Sequence, residues 1–120
     1  FLRDKALSPA LEAQLRDVIT RKNAIAALAA EISRRQGEID QIGRDQDRVR
    51  ENMKSLGNNS EARQLMQRYV KQLDDQETRI ETLRKELTSL AAELAAAQAD
   101  LARFIEGMSG AILQAPVLRP

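Results

Sequence analysis

Two acidic clusters, Asp45-Gln46-Asp47 and Asp74-Asp75, are dense enough to raise the question of a metal ion or an acid–base pair. A calcium loop needs oxygen ligands at fixed odd positions and closes on a glutamate at the twelfth. Counted from Asp45, the fifth residue is Val49 and the twelfth is Leu56, so that pattern fails. Gly57 stands apart from the other glycines, without the spacing of a phosphate-binding loop. The chain has no histidine and no cysteine, which removes imidazole and thiolate catalysis, disulfides and the usual zinc, haem and iron–sulfur ligands. The carboxylates read as solvated groups on a charged helix face. No catalytic residue, cofactor or metal is expected, and the chain is not expected to be an enzyme.

A second kind of chemistry is polyanion binding. Residues 44–71 hold Arg44, Arg48, Arg50, Lys54, Arg63, Arg68 and Lys71 against Asp45, Asp47, Glu51 and Glu61, a local basic excess. Helical arms that grip RNA carry such an excess at their tips. Here the bases are interleaved with acids, and the single tyrosine, Tyr69, falls on an apolar row that leaves no exposed stacking platform. Across the whole chain 19 basic residues meet 18 acidic ones, for a net charge of +1. Solubilising charge explains the tip better than a nucleic-acid site, and nucleic acid is not expected as a partner. Hairpin tips of periplasmic adaptors use an Arg, Leu and Ser at set intervals around the turn, a spacing not found near Asn58.

These residues need long helices to position them. Ala, Glu, Lys, Leu and Arg make up slightly more than half of the 120 residues, and aromatics are 2%, the composition of a coiled coil and not of an ordinary packed core. No apolar run approaches the ~18–20 residues needed to span a bilayer. Proline occurs only at Pro9, Pro116 and Pro120, which leaves long helices free of their strongest breaker. Ser8-Pro9 is a helix start, Ser8 as cap and Pro9 in the first turn. Leu56-Gly57-Asn58-Asn59-Ser60 is the main interior break, with Gly57 or an Asn suited to the left-handed conformation that ends a helix. Gly107-Met108-Ser109-Gly110 reads as a second break. The division that follows is a lead-in at 1–8, a hairpin at 9–108 with helices 9–56 and 60–107 and a turn at 57–59, and a tail at 109–120. The start at Phe1, without an initiator Met, reads as the start of a piece excised from a longer protein.

The second helix carries the cleaner pattern. Met66, Tyr69, Leu73, Gln76, Ile80, Leu83, Leu87, Leu90, Leu94, Ala97, Leu101, Phe104 and Met108 follow an unbroken 3–4 spacing in which only Gln76 is polar. A 3.5-residue period held this long specifies a supercoiled seam. In the first helix one row reads Leu11, Val18, Ile25, Ile32, Ile39, Gln46, Met53 and the other Gln14, Arg21, Leu28, Arg35, Ile42, Val49, Leu56, a seam with polar interruptions. The fold class is therefore all-α: a long antiparallel two-helix coiled-coil hairpin, able to dimerise into a four-helix arrangement. Folding at residue 58 pairs positions whose numbers sum to about 116, which sets Arg35 near Glu81 as an interhelical ion pair.

Apolar residues off the seam concentrate near the open end: Leu15, Ile19, Ala91, Ala92, Ala95, Ala102 and Ile105. Contiguous apolar surface of this kind marks an interface. Leu15, Ile19, Ala91, Ala95, Ala102 and Ile105 are accordingly the expected contact residues, and a homo-oligomer the expected state. Phe1 is placed at that same end, where a parent protein would join.

Three stretches carry a resemblance: Phe1-Leu2 with Lys5-Ala-Leu-Ser-Pro-Ala-Leu11, Asp45-Gln-Asp-Arg-Val-Arg-Glu-Asn-Met-Lys-Ser-Leu56, and Arg68-Tyr-Val-Lys-Gln-Leu-Asp-Asp-Gln-Glu-Thr-Arg-Ile-Glu-Thr-Leu83. Together they resemble the C-terminal coiled-coil hairpin of a bacterial family with a domain of unknown function, some of whose members are grouped with mucoidy inhibitor proteins. The resemblance spans most of residues 1–105. It implies a preceding β-rich domain in the parent protein as the hairpin's neighbour, and it implies no catalytic residues. The expected role is a non-enzymatic structural and protein-interaction module. The alternative is a nucleic-acid-binding or periplasmic-adaptor-type hairpin acting through its tip.

Overall fold

A computed structural model describes residues 8–114 of the chain. It is a hairpin of two long helices, α1 (Pro9–Lys54) and α2 (Ser60–Gln114), with no strand among the described residues. Ser8 caps α1: its Oγ accepts the Leu11 N–H at 3.0 Å and its carbonyl accepts the Glu12 N–H at 2.9 Å. Pro9 follows as the first helical residue, where its missing N–H costs nothing. α1 then runs without interruption through Gly37 and Gly43.

The turn differs in detail from the sequence reading. α1 stops at Lys54 and not at residue 56, and its last carbonyls are satisfied by tightened bonds: Ser55 N–H to Asn52 O at 3.3 Å and Leu56 N–H to Met53 O at 3.2 Å. Gly57 does not take the left-handed conformation; no described residue has a positive φ. The cap of α2 is Asn59, whose Oδ1 accepts the Ala62 N–H at 2.7 Å and whose carbonyl accepts the Arg63 N–H at 3.0 Å. Glu61 adds a negative charge to that first turn.

The break read at Gly107–Gly110 is absent. α2 continues through both glycines to Gln114, so the tail read at 109–120 is helical over its first six residues. A glycine inside a helix costs only about 1 kcal/mol relative to alanine, too little to stop a helix already carried by its seam. The next strong stop in the sequence is Pro116, which disfavours helical backbone at the residue before it. Phe1, the rest of the lead-in through residue 7, and residues 115–120 lie outside the described residues.

Every seam position named from the sequence is at least half-buried, on both helices. The chain divides into two compact units, one of residues Glu31–Leu90 next to the turn, the other joining the chain up to Ala30 with the chain from Ala91 on. In the turn unit Val49 and Leu83 are wholly buried, with Ile80, Ala62 and Gln46 nearly so. Removing a Val or Leu side chain from water stabilises by roughly 1.5–3 kcal/mol, so these residues dominate the unit's packing. In the open-end unit Met108 is buried and the rest of the seam is half-buried. There the seam residue Arg21 is accommodated by two contacts. Its Nε donates to Asp17 Oδ1 at 3.0 Å, and its guanidinium carbon lies 4.5 Å from the centroid of the Phe104 ring.

The interhelical ion pair of Arg35 is made with Glu86, not Glu81. Arg35 Nε donates to Glu86 Oε1 at 2.8 Å, while Glu81 lies 3.8 Å from Lys85 on its own helix. The cause is where the two glutamates sit on α2: Glu86 flanks the seam, its side chain 41% exposed, whereas Glu81 lies on the outer surface of the helix, 73% exposed.

Candidate interaction surface

The seam rows assign heptad letters: Leu11 and Met66 are a positions, Gln14 and Tyr69 d positions. In an antiparallel pair g flanks g on one face of the hairpin and e flanks e on the other. The turn unit shows the first of these directly. Arg79 at g forks onto Glu38 at g, Nε to Oε2 at 2.7 Å and the second nitrogen to Oε1 at 3.0 Å. Gln72 at g donates to Asp45 at g at 3.1 Å, and the seam residue Gln76 donates to the same Asp45 oxygen at 2.5 Å. Arg35 also donates to Glu31, at 2.5 Å, so it bridges two carboxylates.

These contacts shift the ionisable groups in the directions their charges demand. Glu38 is held below the ordinary carboxylate value by the Arg79 hydrogen bonds. Glu31 is lowered first by Arg35 and then by Arg34, and Asp45 first by Arg48 and then by Gln76. Arg35 and Arg79 are correspondingly raised by Glu31 and Glu38. Asp45 thus serves as an anchor for Arg48 and for two glutamines across the seam. Among the described residues no three acidic side chains gather into a metal-binding cluster.

The basic residues of the tip are largely engaged along their own helices. Arg48 pairs with Asp45, Arg50 with Asp47 at 3.5 Å, Lys54 with Glu51 at 3.0 Å and Lys71 with Asp75 at 3.2 Å. A groove beside Gln72 and Gln76 is lined also by Ile42, Arg68, Lys71 and Arg79. Two of its three cations are the ones held by Asp75 and Glu38, which leaves little unopposed charge for an anion.

The e/b face of the open-end unit has the opposite character. Leu15 and Ile105 are e positions, 40% and 42% exposed, and Ile19 is a b position, 57% exposed. Ala91 is at e, and Ala95 and Ala102 are at b, all exposed. All six contact residues expected from the sequence therefore lie on one face. Ala26 and Ala29 of α1, also exposed, extend it. Between Thr88 and Ser109 the e and b positions of α2 carry no charge, and Lys22 is the one charge between Leu15 and Ala29 on the same rows of α1. Ala92, at f, lies off that face.

The sequence reading missed the polar layer. Gln46 and Gln76 stood out only as seam interruptions, yet Gln46 is 6% exposed, and Gln46 Nε2 and Gln76 Oε1 are both buried without a partner. Their coincidence with Asp45 and Gln72 at neighbouring g positions was the signal available. Neither helix is long and apolar enough among the described residues to cross a membrane. No protein-family model, curated protein or solved structure matches the chain.

Proposed function

We propose that the chain is a non-enzymatic structural arm, an antiparallel coiled coil that presents a protein-interaction surface at its open end as an appended part of a larger bacterial protein. The observation that carries this reading is the placement of Leu15, Ile19 and Ile105, large apolar side chains left exposed on one face of a helix pair where Lys22 is the one charge between Leu15 and Ala29. Exposed apolar side chains gathered on one face, and not scattered singly, are characteristic of contact sites. The resemblance noted in the sequence makes a preceding β-rich domain the neighbour at that end. Pairing of the tip cations with their own carboxylates disfavours the tip as the working site.

A photo-crosslinking amino acid at Ile105 or Arg48 of the chain in its parent cell separates the two ends. Protein adducts from position 105 and none from position 48 are the expected result. Adducts from position 48 alone, to protein or to nucleic acid, would overturn the assignment of the open end.

A further inference from the structure

We infer that Gln46 and Gln76 form a register mark, a matched pair of seam amides that holds α1 and α2 of the turn unit in a single alignment at a cost in stability. Gln76 donates to Asp45 at 2.5 Å, and Asp45 is the chain neighbour of Gln46, so the two amides occupy one layer of the seam. What they leave unpaired is complementary: a donor, Nε2, on Gln46 and an acceptor, Oε1, on Gln76, both buried. Gln76 is also the only polar residue on the α2 seam rows from Met66 to Met108. One buried polar layer in an otherwise apolar seam is the arrangement by which coiled coils fix their alignment, and it costs stability to do so.

The apolar residues cannot supply this choice, because a slide of seven residues returns every a and d position to the seam. Slid by one heptad, Gln46 would share its layer with Leu83 in one direction and with Tyr69 in the other, while Gln76 would meet Met53 or Ile39. Each amide would then be buried without the other in its layer, and Asp45 would lose the Gln76 donor. The charged g rows discriminate less. Arg79, which meets Glu38 here, would meet Asp45 after one slide and Glu31 after the other. It finds an acid in all three alignments, and half-exposed ion pairs weigh little in the choice. The turn, residues 55–59, has no buried residue and no positive φ, so a slide is absorbed by letting the end of one helix pass into the loop.

The alignment can be read directly in the purified chain. It has no cysteine, so spin labels attach only at introduced thiols, Arg44→Cys on α1 and Lys85→Cys on α2, both exposed positions of the turn unit. With both glutamines present, pulsed electron paramagnetic resonance should give one distance. A slide of one heptad moves one label past the other by about 10 Å along the axis. In Gln46→Leu, and in Gln46→Leu with Gln76→Leu, a second distance displaced by several ångströms is therefore expected, although both variants resist urea at least as well as the parent. Lost order together with undiminished stability is the signature that a merely structural role would not give. Arg79→Gln, which keeps the amide layer, should retain the single distance. One unchanged distance in both Leu variants, two distances with both glutamines present, or a second distance in Arg79→Gln would each overturn the assignment of the mark to Gln46 and Gln76.

Discussion

Arg79 and Glu38 face each other across the hairpin in a bidentate fork, both nitrogen–oxygen distances at or below 3.0 Å. Glu38, like Glu31 and Asp45, has its carboxyl value depressed by this kind of contact. The folded state therefore binds fewer protons than the unfolded one, and the associated stability is present above the unfolded values near 4.5 for Glu and 3.8 for Asp. It is lost as pH falls through the lower folded values. The melting temperature should be level around neutral pH and fall below about pH 4.5. Arg79→Gln should flatten part of that acid limb. Because the pair is about half exposed, salt near 1 M should do so too, through screening.

Gln46→Leu should stabilise the hairpin by about 1–2 kcal/mol, read from urea unfolding, because it replaces a buried donor lacking a partner with an apolar side chain of similar size. The Asp45–Gln76 contact remains in that variant. Gln76→Leu removes it, and should gain less.

Leu83→Ala should cost about 2–4 kcal/mol, among the largest effects of any single truncation in the turn unit, since Leu83 is wholly buried. Leu15→Ala should cost far less in an isolated monomer, because its side chain is already 40% exposed.

Gly37→Ala and Gly107→Ala should each stabilise by about 0.5–1 kcal/mol. Both glycines lie within helices, neither has a positive φ, and a Cβ at either would meet nothing within 4 Å. Thermal unfolding of the two variants and of the double variant checks the gain and its additivity.

Asn59→Ala should cost about 1 kcal/mol by removing the oxygen that accepts the Ala62 N–H. Asn58→Ala, one residue away, should be nearly neutral in the same unfolding measurement.

The helices and their inward rows were readable because a 3.5-residue period is a property of residue types alone. Even the awkward members, Gln14, Arg21 and Arg35, sit at least half-buried where the rows put them. The ion-pair partner of Arg35 was not readable from levels alone, since counting residues ignores which side of α2 each glutamate occupies: Glu86 flanks the seam and Glu81 faces outward. The end of α2 was misread because two local glycine signals are weaker than a seam that runs through Phe104 to Met108. The apolar face was legible as a list of residues, and the same 3–4 spacing that gives the seam rows also confines its members to e and b positions. Asp45 looked like a solvated carboxylate, because its glutamine partners lie 27 and 31 residues away in the chain.

The repeating layers of the seam also make the hairpin's reach adjustable. Residues 38–44 of α1 and 73–79 of α2 occupy the same stretch, since Glu38 meets Arg79 at one border of it. Excising both segments together removes one heptad from each helix and shortens the arm by about 10 Å, while every remaining a and d residue keeps its phase. Excising either one alone would leave the pairing next to the turn, Asp45 with Gln72 included, but shift every layer beyond the cut by one heptad against the other helix. Insertions and deletions in such a chain are tolerated in matched steps, so its length can evolve as a gauge between whatever its two ends touch.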